Sequence, residues 1–144
     1  MRHPQQGYTL IDTLLALALA AILAGIAWPS YEAPLHKSRR TDALVAVVQI
    51  QGAQERLRSR GTRYGSLEEI GIAATSRAGH YQLQVTAFDA DGYTVLATAT
   101  GAQSRDATCR HLSARTIGAN VVHTSGADAA LANPPSANRQ CWSL

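Results

Sequence analysis

Length, composition and charge exclude several classes of protein. Of 144 residues, 46% are hydrophobic and 16% are charged, which is the composition of a small globular protein and not of a disordered segment. The formal net charge of +3 is far below that of a dedicated nucleic-acid-binding domain. We therefore expect one folded domain in addition to whatever the N-terminus forms.

The N-terminus carries the longest apolar segment of the chain. Residues 1–7 are polar, whereas Tyr8–Trp28 is almost wholly apolar with Asp12 as its only charge. As a helix this segment would span about 31 Å, close to the thickness of a bilayer core. No small-residue cleavage site follows it, and Pro29 is expected to end or kink the helix. The segment is therefore predicted to be a membrane helix.

A second helical pattern follows Pro34, which could also interrupt a helix. Between Ser38 and Arg60, apolar residues recur among polar ones at helical spacing. The apolar positions are Leu44, Val47, Val48, Ile50 and Leu57. Asp42 lies near the expected start, where a carboxylate suits the helix dipole, and Gly61 is expected to cap the C-terminus. The pattern predicts an amphipathic helix that covers the apolar face of a sheet.

The second half of the chain favours antiparallel strands. His80–Ala87 and Tyr93–Thr100 alternate apolar and polar residues, and the turn residues Asp89–Gly92 separate them, which predicts a hairpin. A third strand is expected over Thr108–Ala114. The tail from Asn133 is expected to be a loop, because two consecutive prolines bar regular structure. The predicted fold class is α+β, with a long N-terminal helix packed on a small antiparallel sheet.

The chain has two cysteines, Cys109 and Cys141. In a small exported domain, such a pair predicts one disulfide that ties down the C-terminal tail. The alternative is a pair of free thiols in a cytosolic protein. The membrane-targeting N-terminus favours the disulfide.

The segment Gly7-Tyr8-Thr9-Leu10-Ile11-Asp12 carries the strongest functional signal. A carboxylate inside a membrane segment is unfavourable by about 2.5–3.5 kcal/mol, so Asp12 is expected to have a partner; a hydrated, idle carboxylate is the alternative. The segment resembles the signal of type IV prepilins, which a membrane peptidase cuts after the glycine before methylating the new N-terminus. The resemblance implies cleavage between Gly7 and Tyr8, methylation of Tyr8, and pairing of Asp12 with the amine of a neighbouring subunit. The family usually has Phe and Glu where this chain has Tyr8 and Asp12.

Several further segments resemble the same family. They are Trp28-Pro29-Ser30-Tyr31, Ser38–Thr41, Tyr93–Ala99, Arg105–Cys109 and Cys141-Trp142. Together they look most like a PilE-like minor pilin of type IVa pili. The resemblance implies the type IV pilin fold, with residues 1–7 as a leader, 8–29 as the transmembrane and assembly helix, and 30–144 as a periplasmic head.

The resemblance also implies a structural role with no catalysis and no cofactor. The subunit would begin as a single-pass inner-membrane protein, be processed by prepilin peptidase, and be assembled with other pilin subunits by the pilus machinery. The surface filament would then support pilus biogenesis and twitching motility or adhesion. The chain itself has no catalytic motif and no metal-ligand spacing among its histidines and cysteines.

Two alternatives remain open. In the first, the chain is a pilin that binds DNA for natural transformation, through Arg110, Arg115 and Arg139 or through the arginines between residues 56 and 63. We prefer to interpret these arginines as a solvated basic surface that binds DNA weakly, because the small net charge gives no concentrated field. In the second, the chain is a pseudopilin of type II secretion, which shares the N-terminus; the Cys141-Trp142 ending favours a pilus.

The basic residues that follow the apolar segment conflict with this orientation. Lys37, Arg39 and Arg40 outnumber Arg2 on the leader side, and the positive-inside rule alone would place the head in the cytoplasm. The prepilin signal and the cysteine pair favour the periplasm, and we give them more weight.

The first prediction concerns processing. In cells with active prepilin peptidase, mass spectrometry of the membrane-bound protein should find an N-methylated Tyr8 as the first residue. Gly7→Arg should block cleavage, because a peptidase pocket shaped for glycine has no room for a side chain. An intact residue 1–7 segment in the wild-type protein would contradict the assignment.

Overall fold

The computed structural model describes residues 9–61 and 63–143, with the backbone alone for residues 26–30. Its elements are α1 (Leu10–Arg58), β1 (Tyr81–Thr86), β2 (Gly92–Ala99), a 3-10 helix (Gly101–Arg105), β3 (His111–Ile117), β4 (Asn120–Gly126) and α2 (Pro135–Trp142). The described chain divides between Leu35 and His36 into two compact units. We call the second unit, which contains all four strands, the head. These elements confirm the predicted α+β class.

Helix α1 is continuous where the sequence predicted an interruption. Its backbone stays helical through Pro29 and Pro34, so the predicted end at Pro29 is wrong. Each proline removes one N–H donor and is unfavourable in a helix interior by about 3 kcal/mol, but the hydrogen bonds of the remaining turns keep the helix intact.

The predicted membrane segment is not confirmed. Among the residues that the structure describes, no helix combines the length and the apolar character needed to cross a membrane. Tyr8 lies outside the described residues, and the transmembrane assignment of residues 8–29 stays a prediction.

Asp42 has a different role from the predicted one. It lies in the interior of α1 and accepts hydrogen bonds from the Ser76 hydroxyl at 2.5 Å and from the backbone N–H groups of Ala78 and His80 at 3.0 and 3.2 Å. Partial burial raises the pKa of Asp42, but these hydrogen bonds outweigh burial and leave the pKa below its usual value. Asp42 therefore fixes the turn that leads into β1.

Four antiparallel strands form one sheet in the order β1-β2-β3-β4. The bounds of β1 and β2 agree with the predicted hairpin to within one residue, and the Asp89 carboxylate closes its turn by accepting hydrogen bonds from the N–H groups of Asp91 and Gly92, both at 2.8 Å. The third strand begins at His111 and not at Thr108. Sequence reasoning missed β4 altogether.

The core lies between α1 and one face of the sheet, which we call the inner face. Helix α1 contributes Ala43, Ala46, Val47 and Ile50, and the strands contribute Tyr81, Leu83, Val95, Ala97, Leu112 and Ala114. Val48 was predicted to join this core but is 65% exposed. Consecutive helix positions are about 100° apart, so a stripe through residues 43, 47 and 50 turns residue 48 away from the sheet.

The C-terminal tail forms a helix instead of the predicted loop. Pro135 occupies the first turn of α2, where the missing N–H is no loss and the fixed φ favours a helix. The predicted disulfide between Cys109 and Cys141 is confirmed. Trp142 donates an indole hydrogen bond to a β4 carbonyl at 3.0 Å, and its ring centroid lies 4.3 Å from that of His123. The tail is therefore held against β4.

A buried ion pair joins α1 to the segment after β2. The Arg40 guanidinium donates from Nε and Nη2 to the two carboxylate oxygens of Asp106 at 2.6 and 2.9 Å, and the two side chains are 9% and 4% exposed. The Gln103 amide donates to Asp106 and to the Tyr81 hydroxyl, both at 3.1 Å. Asp106 also accepts a hydrogen bond from the Cys109 N–H at 3.3 Å. One carboxylate thus connects α1, the 3-10 helix and the disulfide.

The second prediction concerns this pair. Arg40→Met should lower the free energy of unfolding by about 3–5 kcal/mol, because it leaves a buried carboxylate without its counter-charge. The double variant Arg40→Met/Asp106→Asn should be less destabilised than Arg40→Met alone, because the asparagine side chain is neutral and can still accept hydrogen bonds. Urea denaturation of the full chain in a non-ionic detergent, followed by tryptophan fluorescence, measures both. Strictly additive losses would show that the two charges are not coupled.

Candidate functional site

The predicted assembly residues are described only in part. Gly7 and Tyr8 lie outside the described residues. The Asp12 carboxylate accepts hydrogen bonds from the backbone N–H and the hydroxyl of Thr9 at 2.9 and 2.7 Å, and the Thr9 hydroxyl accepts one from the Asp12 N–H at 3.3 Å. This reciprocal arrangement is a capping box at the first turn of α1. Sequence reasoning missed it, although a threonine three residues before an acid was a visible signal.

The capping box gives Asp12 a function that needs no second subunit. It satisfies donors that the first turn of a helix leaves unpaired, and a carboxylate there suits the helix dipole. The Asp12 side chain is nevertheless exposed, so a carboxylate oxygen is accessible to an amine of another molecule. Capping and intersubunit pairing are therefore compatible roles, and the pairing stays a prediction.

The three arginines predicted to contact DNA do not converge. Arg110 directly precedes β3 and Arg115 lies within it; residues five apart on a strand are separated by about 17 Å and point to opposite faces. Arg115 lies on the outer face of the sheet, in one row with Thr94 and Val122. Arg139 is exposed near the end of α2. The trio therefore does not form a single patch.

Arg110 is also engaged within the head. Its Nε donates to the carbonyl of Ser104 at 2.9 Å, and the side chain is half-buried. This hydrogen bond fixes the 3-10 helix against the start of β3. A structural role explains Arg110 better than binding to DNA does.

The other arginine group lies at the end of the head where α1 ends. Here the Tyr64 N–H donates to the Asp89 carbonyl at 2.9 Å, and the Gly118 N–H donates to the Asp91 carbonyl at 3.0 Å. The loop after α1, the β1–β2 turn and the β3–β4 turn therefore meet at one place. We call this surface the turn end (residues 56–61, 63–65, 89–91 and 118–119).

Two of the arginines at the turn end have local partners. Arg63 donates to the Glu69 carboxylate at 2.6 Å, and this hydrogen bond is the main reason why the pKa of Glu69 falls to about 2. Arg58 donates to the Tyr64 hydroxyl, and its guanidinium lies 5.0 Å from the centroid of the same ring. The positive charge of Arg63 is therefore largely neutralised, and Arg58 is held in place.

The other two arginines form no side-chain hydrogen bond within the described part of the chain. Arg56 and Arg60 are exposed, and within the described part of the chain no carboxylate lies within 4 Å of either guanidinium. Unpaired arginines are the groups that neutralise phosphates. The same described residues hold no cluster of three histidine, cysteine or acidic side chains that could bind a metal ion.

The chain is similar to a known protein family over most of α1 and the first half of the sheet. Residues 29–113 match the family described as type IV minor pilin ComP, DNA uptake sequence receptor, over more than half of the sequence. The chain belongs to this family. Membership confirms the resemblance to minor pilins, and the pilin fold accounts for the long helix and the antiparallel sheet.

The matched part of this minor pilin contains only some of the predicted sites. It includes Arg56, Arg60 and Arg110 but neither Arg115 nor Arg139. It begins after the prepilin signal and ends before Cys141. The type IVa assignment and the processing after Gly7 therefore stay predictions.

The third prediction separates the two roles of Asp12. Asp12→Ala should leave the protein in the membrane but impair its entry into filaments, because a neighbouring amine would lose its counter-charge. Asp12→Asn should fail as well, although its side-chain oxygen can still cap Thr9. Immunoblots of sheared filaments and of membranes measure both pools. Normal assembly of Asp12→Asn would show that capping alone matters.

Proposed function

We propose that this minor pilin is a DNA receptor for natural transformation. The observation that carries the proposal is the match of residues 29–113 to a family described as DNA uptake sequence receptors. This match favours the DNA-binding alternative over the interpretation that we preferred from the sequence, in which the arginines form a solvated surface on a filament subunit.

The small net charge is compatible with DNA binding because some arginines form ion pairs and others do not. Arg40 is paired with Asp106 and Arg63 with Glu69, so these four residues contribute no net charge. Arg56 and Arg60 remain exposed near the end of α1. The Arg56 guanidinium lies back along the helix, with Nη1 3.5 Å from the point where a side chain on Gly52 would begin. Local unpaired arginines, and not the total charge, determine how many phosphates a surface can neutralise.

The position of the turn end also supports the proposal. Arg58 lies about 33 Å along α1 from His36, the first residue of the head. A filament subunit is held by the first part of its N-terminal helix, so a receptor surface works best far along the helix from that part. Backbone hydrogen bonds between the three connections hold the turn end together, which gives the arginines a firm support.

The finer features of this function follow the pilin resemblance. The subunit is cut after Gly7, resides in the inner membrane with its head in the periplasm, and joins other pilin subunits through the pilus machinery. In the filament it binds DNA at the cell surface. Pilus biogenesis, twitching motility and adhesion are roles of the filament in which it sits.

The fourth prediction tests DNA binding. The full chain in a non-ionic detergent should bind a 30-base-pair duplex with micromolar or tighter affinity at physiological salt, measured by fluorescence polarisation. The double variant Arg56→Gln/Arg60→Gln should bind more weakly, and the slope of log K against log salt should fall by about 0.9 for each phosphate that is no longer neutralised.

The matched control removes the same charge from the other end of the head. Lys37→Gln/Arg105→Gln should keep an affinity and a salt slope close to those of the wild type. Equal losses in the two double variants would show a diffuse field and no receptor surface at the turn end. Wild-type binding that disappears at physiological salt would reject the receptor function.

A further inference from the structure

The outer face of the sheet, which is the face that does not pack on α1, carries a groove. Its floor is formed by β2, β3 and β4, and its volume is about 710 Å³, within the range of roughly 300–1,000 Å³ that is typical of small-molecule sites. Ala130 and Leu131 form one wall, and the β1–β2 turn closes one end. Leu131 has a φ of 54°, an unfavourable backbone conformation of the kind that is concentrated at functional sites.

Arg115 lies in the floor of this groove. It is exposed, and in residues 9–61 and 63–143 no carboxylate comes within 4 Å of its guanidinium. Thr94 lies opposite Arg115 on β2, and Ser113 and Thr124 form the next row on β3 and β4. The groove therefore offers a free guanidinium surrounded by hydroxyl groups that can donate or accept.

Apolar side chains complete the groove. Ile117, Val122 and Leu131 line it, and Ile117 and Val122 are 47% and 56% exposed. A phosphate gains nothing from apolar walls, whereas a nucleobase is a flat ring with apolar faces and a hydrogen-bonding edge. This mixture of lining groups suits a base better than a phosphate.

Two aspartates of the β1–β2 turn, Asp89 and Asp91, line the groove and disfavour a phosphate inside it. Backbone hydrogen bonds from Gly92 and Asp91 lower the pKa of Asp89, so its carboxylate is charged and repels anions. The carboxylate of Asp91 also lines the groove, is exposed, and receives no hydrogen bond from the described residues. It is free to accept hydrogen bonds from a ligand.

We infer that this groove binds an unpaired guanine base of DNA, an inference that rests on the proposed receptor function. Arg115 donates to the guanine O6 and N7 acceptors, the commonest base-specific contact of arginine. Asp91 accepts from the N1–H and N2–H donors of guanine, and the apolar side chains cover the faces of the ring. Adenine and thymine lack this combination of acceptors and donors. The arginines of the turn end contact phosphates, and the groove supplies base preference.

The fifth prediction compares two single-stranded 12-nucleotide probes of equal charge. One contains only thymine and the other has three guanines in place of thymines. The wild-type full chain in detergent should prefer the guanine probe by about fivefold to 100-fold, as one bidentate base contact can supply. Arg115→Lys and Asp91→Asn should each lose most of this preference, because the lysine cannot form a fork and the amide is a weaker acceptor.

Arg60→Gln is the matched control, and it should weaken the binding of both probes by the same factor. Equal wild-type affinities for the two probes, or a preference that survives in both groove variants, would overturn the guanine site while leaving the receptor function standing. If the wild type binds neither these probes nor the duplex, the receptor function and the groove inference both fail. Unchanged tryptophan fluorescence of the variants confirms that they are folded.

Discussion

The Arg40–Asp106 ion pair ties helix α1 to the segment that follows β2. A buried pair is stable only when its remaining hydrogen-bonding groups also find partners, and here Gln103 and the Cys109 N–H supply them. Arg40 lies on the same side of α1 as the buried residues Ala43 and Val47. Sliding the helix by one turn would separate the charges and leave Asp106 buried without its counter-charge, so the pair opposes such a shift.

The C-terminal third of the head depends on this anchor through Cys109. The disulfide ties α2 to the segment that Asp106 holds, and it closes a chain separation of 32 residues. Side-chain amides then complete the attachment. Asn138 bridges the Ser125 hydroxyl and the His123 carbonyl at 2.8 Å each, and Asn133 donates to the Thr108 carbonyl at 2.8 Å. Hydrogen bonds thus do most of the positioning where few large apolar side chains are present.

The sequence predicted best those elements whose pattern is local. The β1–β2 hairpin was found because its alternation and its turn residues agree, and the disulfide because only two cysteines exist. Strand β4 was missed because Val121 and Val122 are both exposed, so burial does not alternate along its first half. The predictions of a helix end at Pro29 and of a loop after Asn133 were both based on proline, and both were wrong. Proline removes one hydrogen-bond donor, but it does not by itself exclude a helix. Ion-pair partners that are distant in sequence, such as Arg40 and Asp106, produce no sequence pattern from which the pairing could have been predicted.

Partners that are distant in sequence also explain why the sequence alone did not show which arginines are free to bind DNA. Counting charges treats all arginines alike, yet Arg40 is neutralised by a carboxylate 66 positions away and Arg110 is committed to a backbone carbonyl. Arg56, Arg60 and Arg115 differ from these only in what surrounds them in space. A surface that binds DNA needs few charges if they are unpaired and held on firm backbone. In this minor pilin the ion pairs that stabilise the head also decide which arginines are left to bind a ligand.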